Sequence, residues 1–235
     1  MQALDLYGSI EEYFDFEDEI HHLYKTIGHT VLSKNPKTLI DIGCGQGEFC
    51  HIMDINGIKT FGVDLSEKQI EIAVSKGTNA KCIDIKNVTD TFDCATATFD
   101  VINYIPKEFI KEFLKNSYDV IKSKGHFIFD INSLYGFDNV AQGTLNIDTE
   151  DKFIAIDANF KDNILYTDMT VFDKVNDNTS NTYKKETGTI EQYCYGKEEL
   201  SSILVDIGFE VENIIDFNLH SDEDYDKHIY VCKKG

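Results

Sequence analysis

The feature that most constrains this chain is a repeated alternation between short, nearly all-apolar runs and segments with helical period. Thr38 to Ile42 and Lys59 to Val63 read as strands covered on both faces, and Ala80 to Ile85, Phe92 to Thr98 and His126 to Ile131 as three more strands. Helical segments separate them. Ile20, Leu23, Tyr24, Ile27 and Val31 recur at three and four, in a helix that Pro36 ends. Phe49, Ile52 and Met53 open a second, closed by Asn56-Gly57. Ser66 and Gln69 have capping-box spacing ahead of a third, with Ile70, Ala73 and Val74 inward. A fourth starts near Pro106 and carries Phe109, Ile110, Phe113, Leu114 and Ile121 to Gly125. Strands alternating with helices predict an α/β, doubly wound, mostly parallel sheet.

After Asn132 the pattern changes. Residues 153–160, 164–173 and 182–195 read as three strands separated by Lys161-Asp162-Asn163 and Asn176-Asp177-Asn178, loops suited to antiparallel hairpins. A helix carrying Leu200, Ile203, Leu204 and Ile207 follows. Strands at Phe209–Phe217 and His228–Cys232 complete an expected seven-stranded sheet. No linker interrupts the chain. Residues 1–235 therefore read as one domain, with a helical cap over 1–35 and an antiparallel lid inserted at about 140–195, after strand five.

Open parallel sheets bind ligands at the carboxyl ends of their strands, where strand order reverses. The first such end reads Asp41-Ile42-Gly43-Cys44-Gly45-Gln46-Gly47. Glycines 43, 45 and 47 let the backbone turn tightly and let a ligand approach, and the next helix offers free amides. Asp64 ends the second strand 17 residues after Gly47. It either terminates a strand or accepts both hydroxyls of a ribose, and the loop before it favours the ribose. Asp84 ends the third strand, either as an ordinary turn aspartate or placed for an adenine edge with Ile85 beside it to pack on the ring.

Charge narrows the partners. The 42 acidic and 22 basic side chains leave a formal net of −20, which opposes binding to nucleic acid and to anionic membranes. The six cysteines form no C-x-x-C pair or zinc spacing, so no metal is expected and the thiols read as reduced and structural. Met1 to Ile20 is too acidic for a signal peptide, and no run approaches the roughly 18 apolar residues of a membrane helix. The chain reads as cytoplasmic, a monomer or homodimer.

Leu39 to Gly47 resembles the first motif of class I S-adenosylmethionine-dependent methyltransferases, and Gly62-Val63-Asp64-Leu65-Ser66 resembles the motif that follows it. The glycines are spaced G-x-G-x-G, whereas nicotinamide enzymes typically show G-x-G-x-x-G. The resemblance covers about residues 38–132. It implies that Gly43, Cys44, Gly45 and Gly47 wrap the methionine part of the cofactor and that Asp64 and Leu65 sit at its ribose. It places Asp41 near the methionine amino group, and Thr98 and Phe99 along the cofactor. Phe99 to Tyr104 and Phe127 to Asn132 are similar to a bacterial group that includes sugar-amine N-methyltransferases. That group carries a lid at this point and an N-terminal segment closing over the cofactor, for which Tyr7 and Tyr13 are the candidates. Where relatives often show His and Arg in the last lid strand, this chain has Ile190 and Tyr193, so roles of those two residues do not transfer.

The implied reaction is methyl transfer to a small-molecule nitrogen or oxygen. Asn103-Tyr104-Ile105-Pro106 lacks the N-P-P-Y pattern of many enzymes acting on base or glutamine nitrogens. Tyr104, Asp130 and Tyr193 are the catalytic candidates, with Asn132 and Tyr135 as further polar groups; His51 and His126 read as structural. Two other readings stay open. One is a non-catalytic S-adenosylmethionine or nucleotide sensor with the lid as partner surface. The other is an NAD-dependent oxidoreductase, which the glycine spacing opposes.

Overall fold

A computed structural model describes residues 3–14, 17–175, 182–220 and 223–235. The Asn176-Asp177-Asn178 turn lies outside the described residues. The chain starts with α1 (Ala3–Gly8), a 3₁₀ turn at Glu11–Tyr13 and α2 (Glu17–Ser33). Then come β1 (Thr38–Ile42), α3 (Glu48–Ile55), β2 (Lys59–Asp64), α4 (Glu67–Ser75), β3 (Ala80–Cys82), β4 (Phe92–Ala97), α5 (Ile110–Asp119) and β5 (Ile121–Asn132). Four strands follow: β6 (Gly143–Asp148), β7 (Lys152–Lys161), β8 (Ile164–Lys174) and β9 (Tyr183–Tyr193). The chain ends with α6 (Lys197–Ile207), β10 (Phe209–Phe217) and β11 (Lys227–Lys234).

Seven strands form the main sheet in the order β10-β11-β5-β4-β1-β2-β3. Its β5-β4-β1-β2-β3 part is parallel, and β11 runs antiparallel to both β5 and β10. The chain winds outward from β1 through β3, then returns to place β4 on the other side of β1, which puts the reversal of strand order between them. Both faces are covered, as the apolar runs demand. Leu39 and Ile128 pack under Leu23, Ile27, Phe49 and Met53 of α2 and α3. On the other face Ile40, Phe127 and Phe129 meet Ile110, Leu114, Leu200 and Leu204 of α5 and α6.

The lid is a separate antiparallel sheet, β6-β7-β8-β9, inserted between β5 and α6. It has four strands, not three. β6 alternates only through Leu145 and Ile147 and is mostly exposed, so its period-two signal is too short to mark a strand. Leu6 and Ile10 of the N-terminal segment pack against Ile154, Ile156, Met169, Val171 and Ile190 of the lid. The segment thereby joins lid to sheet.

Other boundaries move for local reasons. The fourth helix does not run to Gly125: it ends at Asp119, and Ile121 opens β5. Pro106 begins a turn in which Phe109 N–H donates to the Pro106 carbonyl, and α5 starts at Ile110. The third strand stops at Cys82, and Asp84 caps a 3₁₀ turn at Ile85–Asn87 by accepting from Lys86 N–H at 3.1 Å. Val74, expected inside, is 52 % exposed. Only the Ser66 half of the capping box is of the expected kind, with Gln69 N–H donating to Ser66 Oγ at 3.3 Å, because the Gln69 side chain bonds Glu11.

Candidate functional site

The loop after β1 is tied to β2 by its own backbone. Gly43 and Cys44 N–H both donate to the Val63 carbonyl, at 2.8 and 3.0 Å. Gly43 sits at φ 72°, and a Cβ there would come within 2.6 Å of Val101 Cγ2, so backbone and packing both require glycine. Gly45, at φ 50°, has open space where a Cβ would be, which leaves its face free for a ligand. Asp64 stands directly across. One carboxylate oxygen accepts from Gly45 N–H at 3.0 Å and the other from Ser66 N–H at 2.9 Å. The glycine loop and the acid leaving the next strand are therefore one constellation.

That constellation forms part of the wall of a cavity of about 1480 Å³. Of the residues expected to hold a cofactor, Tyr7, Gly43, Cys44, Gly45, Asp64, Leu65, Asp84, Ile85, Thr98 and Phe99 line it. Three do not. Asp41 is buried behind the loop, where Thr96 Oγ1 donates to its Oδ1 at 2.7 Å and Cys50 Sγ lies 3.9 Å from its Oδ2. Burial raises its carboxyl to about 7. Gly47 lies past the cradle as the N-cap of α3. Tyr13 turns away to the lid, with Lys152 Nζ over its ring at 5.3 Å.

The catalytic candidates separate sharply. Tyr104 lines the cavity, and burial holds its hydroxyl well above the usual phenol range, so it stays protonated and can orient but not deprotonate. Asp130 is fully buried and absent from the cavity wall. It accepts from Phe99 N–H at 2.8 Å and Asp100 N–H at 3.3 Å, and Lys227 Nζ lies 3.0 Å from its Oδ2. Its bonds are spent on structure. Tyr193 points off the cavity, donating to Glu191 Oε2 at 2.6 Å, an arrangement that with burial pushes its hydroxyl up to about 12. Asn132 reaches the cavity but accepts from Lys227 at 3.1 Å, and Tyr135 bonds Glu223. His126 faces Glu212 at 3.4 Å and, like His51, lies outside the cavity wall.

Four cavity residues carry no local motif in the sequence. Glu11 arrives on the 3₁₀ turn and Tyr24 on α2, where it bonds Thr98 and meets the Phe99 ring edge-on at 5.3 Å between centroids. Asp100 follows Phe99, both with left-handed backbone (φ 64° and 58°). Lys227 opens β11 and pairs with Asp100 and Asp130. Tyr24 was visible as part of an amphipathic face. The Lys227 partnership spans 97 residues from Asp130 and left no signature.

The sequence profile of the methyltransferase-domain family matches residues 16–214. A protein of Geobacillus sp. (strain WCH70) named as a methyltransferase is 25 % identical over 212 residues, 84 % of each chain. Among solved structures, an S-adenosylmethionine-dependent methyltransferase from Clostridium acetobutylicum superposes with a TM-score of 0.76. It is 24 % identical, and the match covers 96 % of this chain and 94 % of that one. CalS10, an amino pentose methyltransferase from Micromonospora echinaspora solved with S-adenosylmethionine, superposes at 0.71 with 13 % identity, covering 98 % and 97 %. The chain thus belongs to the methyltransferase-domain family and has the fold of S-adenosylmethionine-dependent methyltransferases.

Proposed function

We propose that this protein transfers a methyl group from S-adenosylmethionine to a nitrogen or oxygen of a small-molecule acceptor. The observation that carries the reading is the Gly45–Asp64 contact at 3.0 Å on the wall of a cavity that continues to the lid. The residues fit the cofactor. Asp64 presents a carboxylate suited to ribose hydroxyls, with Leu65 alongside. Asp84 and Ile85 offer an acid and an apolar face for adenine, and Gly43, Cys44, Gly45, Thr98 and Phe99 would flank the methionine part. Asp41 and Gly47 would support that loop from behind.

When bound, S-adenosylmethionine supplies a methyl group already activated on a sulfonium. The protein's share is alignment and exclusion of water. The N-terminal segment and the lid roof the cavity, and Tyr7 and Tyr104 give it protonated hydroxyls that can fix an acceptor's orientation. Neither Asp130 nor Tyr193 is free to act as a base, which suits an acceptor that reacts without one. The strongly negative charge favours a small molecule over nucleic acid, and a cytoplasmic site of action goes with the free cysteines. Among the described residues, no helix is long and apolar enough to cross a membrane.

The test is incubation with methyl-labelled S-adenosylmethionine and a panel of amines, alcohols and hydroxy acids, following S-adenosylhomocysteine. Acceptor-dependent product is expected. Cofactor binding with no turnover for any acceptor would indicate a sensor instead.

A further inference from the structure

A pocket for one small ligand holds about 300–1,000 Å³, and this cavity, at about 1480 Å³, extends past the cofactor residues to the lid. The lid side differs in kind from the rest. Every described residue between Asn132 and Gln192 that lines the cavity is uncharged. The wall formed beyond the ends of β1, β2 and β3, by contrast, carries Glu48, Asp64 and Asp84.

The pleat of the lid sheet sorts its side chains by charge. Successive residues on a strand face opposite ways, and residues paired directly across two strands face the same way. Thr167 pairs with Ala158 on one side and Ile190 on the other, Leu165 pairs with Gln192, and all five line the cavity. Their chain neighbours Asp157, Asp168 and Glu191 are exposed on the opposite face. The cavity face of these strands is thus apolar except for two neutral groups, the Thr167 hydroxyl and the Gln192 amide. Gln192 is only 9 % exposed, and its amide makes no hydrogen bond to another described residue. It can offer a ligand both a donor and an acceptor.

An uncharged wall selects on charge. A phosphate, carboxylate or ammonium group pressed against it would lose hydration without gaining a counter-charge. Nor does this side take up a proton. None of the described lining residues from Asn132 to Gln192 is ionisable, and burial keeps Tyr7 and Tyr104, which pack with Ile154, Ile156 and Ile190, in the protonated form. Methyl transfer joins the acceptor's lone pair to the methyl carbon while the carbon–sulfur pair returns to sulfur, so the positive charge passes to the acceptor. An alkyl ammonium, with a pKa of about 10.4 like lysine's, has no lone pair to give at neutral pH. A hydroxyl must also lose its proton. A pyridine-type ring nitrogen is uncharged there, has its lone pair ready and needs no base.

We infer that the acceptor is an uncharged N-heteroaromatic compound, with its ring nitrogen toward the cofactor and a neutral polar substituent paired with Gln192 on the lid. The inference rests on the methyl-transfer reading and names its acceptor class. Gln192 then sets specificity by fixing the ring against the lid, with Thr167 beside it.

The test holds the ring nitrogen constant and varies the charge at the lid. Protein preloaded with S-adenosylhomocysteine is titrated calorimetrically with pyridine and isoquinoline, each carrying a carboxamide, a carboxylate or an aminomethyl group meta to the ring nitrogen. At least one carboxamide should bind, with its carboxylate and aminomethyl analogues at least ten-fold weaker. With methyl-labelled S-adenosylmethionine in place of the product, the label should appear on the ring nitrogen. Gln192→Leu removes the amide at similar size and should weaken carboxamide binding about ten-fold, the value of one hydrogen bond. Gln192→Glu puts a carboxylate in the same place and should reverse the preference toward the aminomethyl compound. Both variants should bind S-adenosylhomocysteine as the wild type does. A charged analogue that binds the wild type as tightly as its carboxamide, or carboxamide affinity unchanged in both variants, overturns the inference. If S-adenosylhomocysteine binds and neither carboxamide does, or if label goes only to the aminomethyl nitrogen, the inference falls while the cofactor reading stands. If S-adenosylhomocysteine itself does not bind, both fall.

Discussion

Two strand ends of the sheet solve the same problem and reach different ends. At the end of β2, Asp64 accepts Gly45 N–H from the loop leaving β1, its parallel neighbour, and Ser66 N–H from the turn that follows it. At the end of β5, Asp130 accepts N–H groups from the loop leaving β4, again its parallel neighbour. In both, an acid at one strand end fixes the turn beyond the next. The difference is a lysine. Lys227 arrives from β11, neutralises Asp130 and seals it in, whereas among the described residues no cation pairs with Asp64, whose carboxylate stays on the cavity wall. An aspartate ending a parallel strand is therefore a site or a strut according to whether a distant cation reaches it.

The contrast breaks most directly at Asp130. Asp130→Ala takes one of two carboxylates from a buried ammonium and removes the acceptor for two amides, and should cost roughly 3 kcal/mol in urea unfolding. Lys227→Met should cost a similar amount by leaving two carboxylates face to face. If either variant lost less than about 1 kcal/mol, the pair would not be the strut described. Asp64→Ala, by comparison, should lower stability by only about 1–2 kcal/mol, the net value of two part-buried hydrogen bonds.

Gly43→Ala sharpens the β1 side. Left-handed backbone costs about 1–2 kcal/mol for a residue with Cβ, and displacement of Val101 adds to it. Stability and S-adenosylhomocysteine affinity should fall together, and a variant that loses neither would remove the argument for a rigid cradle.

A pH-dependent effect concerns Asp41. Folded Asp41 keeps its proton until about pH 7, while the unfolded carboxyl loses it near 3.8. Between those values the folded state binds more protons, so stability falls as pH rises and this group's share levels off above about 7. Thermal melts across that range should show the decline, and Asp41→Asn should flatten it. An unchanged slope in the variant would assign the pH dependence elsewhere.

What the sequence revealed follows from range. A covered strand, a glycine bend and a helix start lie within 11 consecutive residues, Thr38 to Glu48, so the β1 cradle was readable locally. Asp64 was readable because it ends the adjacent strand in the same register. Asp130 was equally visible as an acid near a strand end, but its lysine lies 97 residues away on a strand whose polar first residue resembles a loop. Ile121 misled for a related reason: it continues the apolar series of α5 but belongs to the strand that starts after Val120 closes the helix. Alternation predicted lid strands without saying which side met the cavity, so Tyr193 and Ile190 could not be told apart until Ile190 proved to line it. β6, held by backbone pairing to β7, has only Leu145 and Ile147 on its apolar face, too short an alternation to read.

The β1 bend and the acid ending β2 are predicted to grip one ligand between them. Calorimetric titration of S-adenosylhomocysteine into wild type and Asp64→Ala measures it directly. One site is predicted in the wild type, and a loss of roughly 1.5–3 kcal/mol in the variant, about ten- to a hundred-fold in affinity, from the missing charge-assisted hydrogen bonds. Equal affinity in the two proteins, or no heat from the wild type, would contradict it.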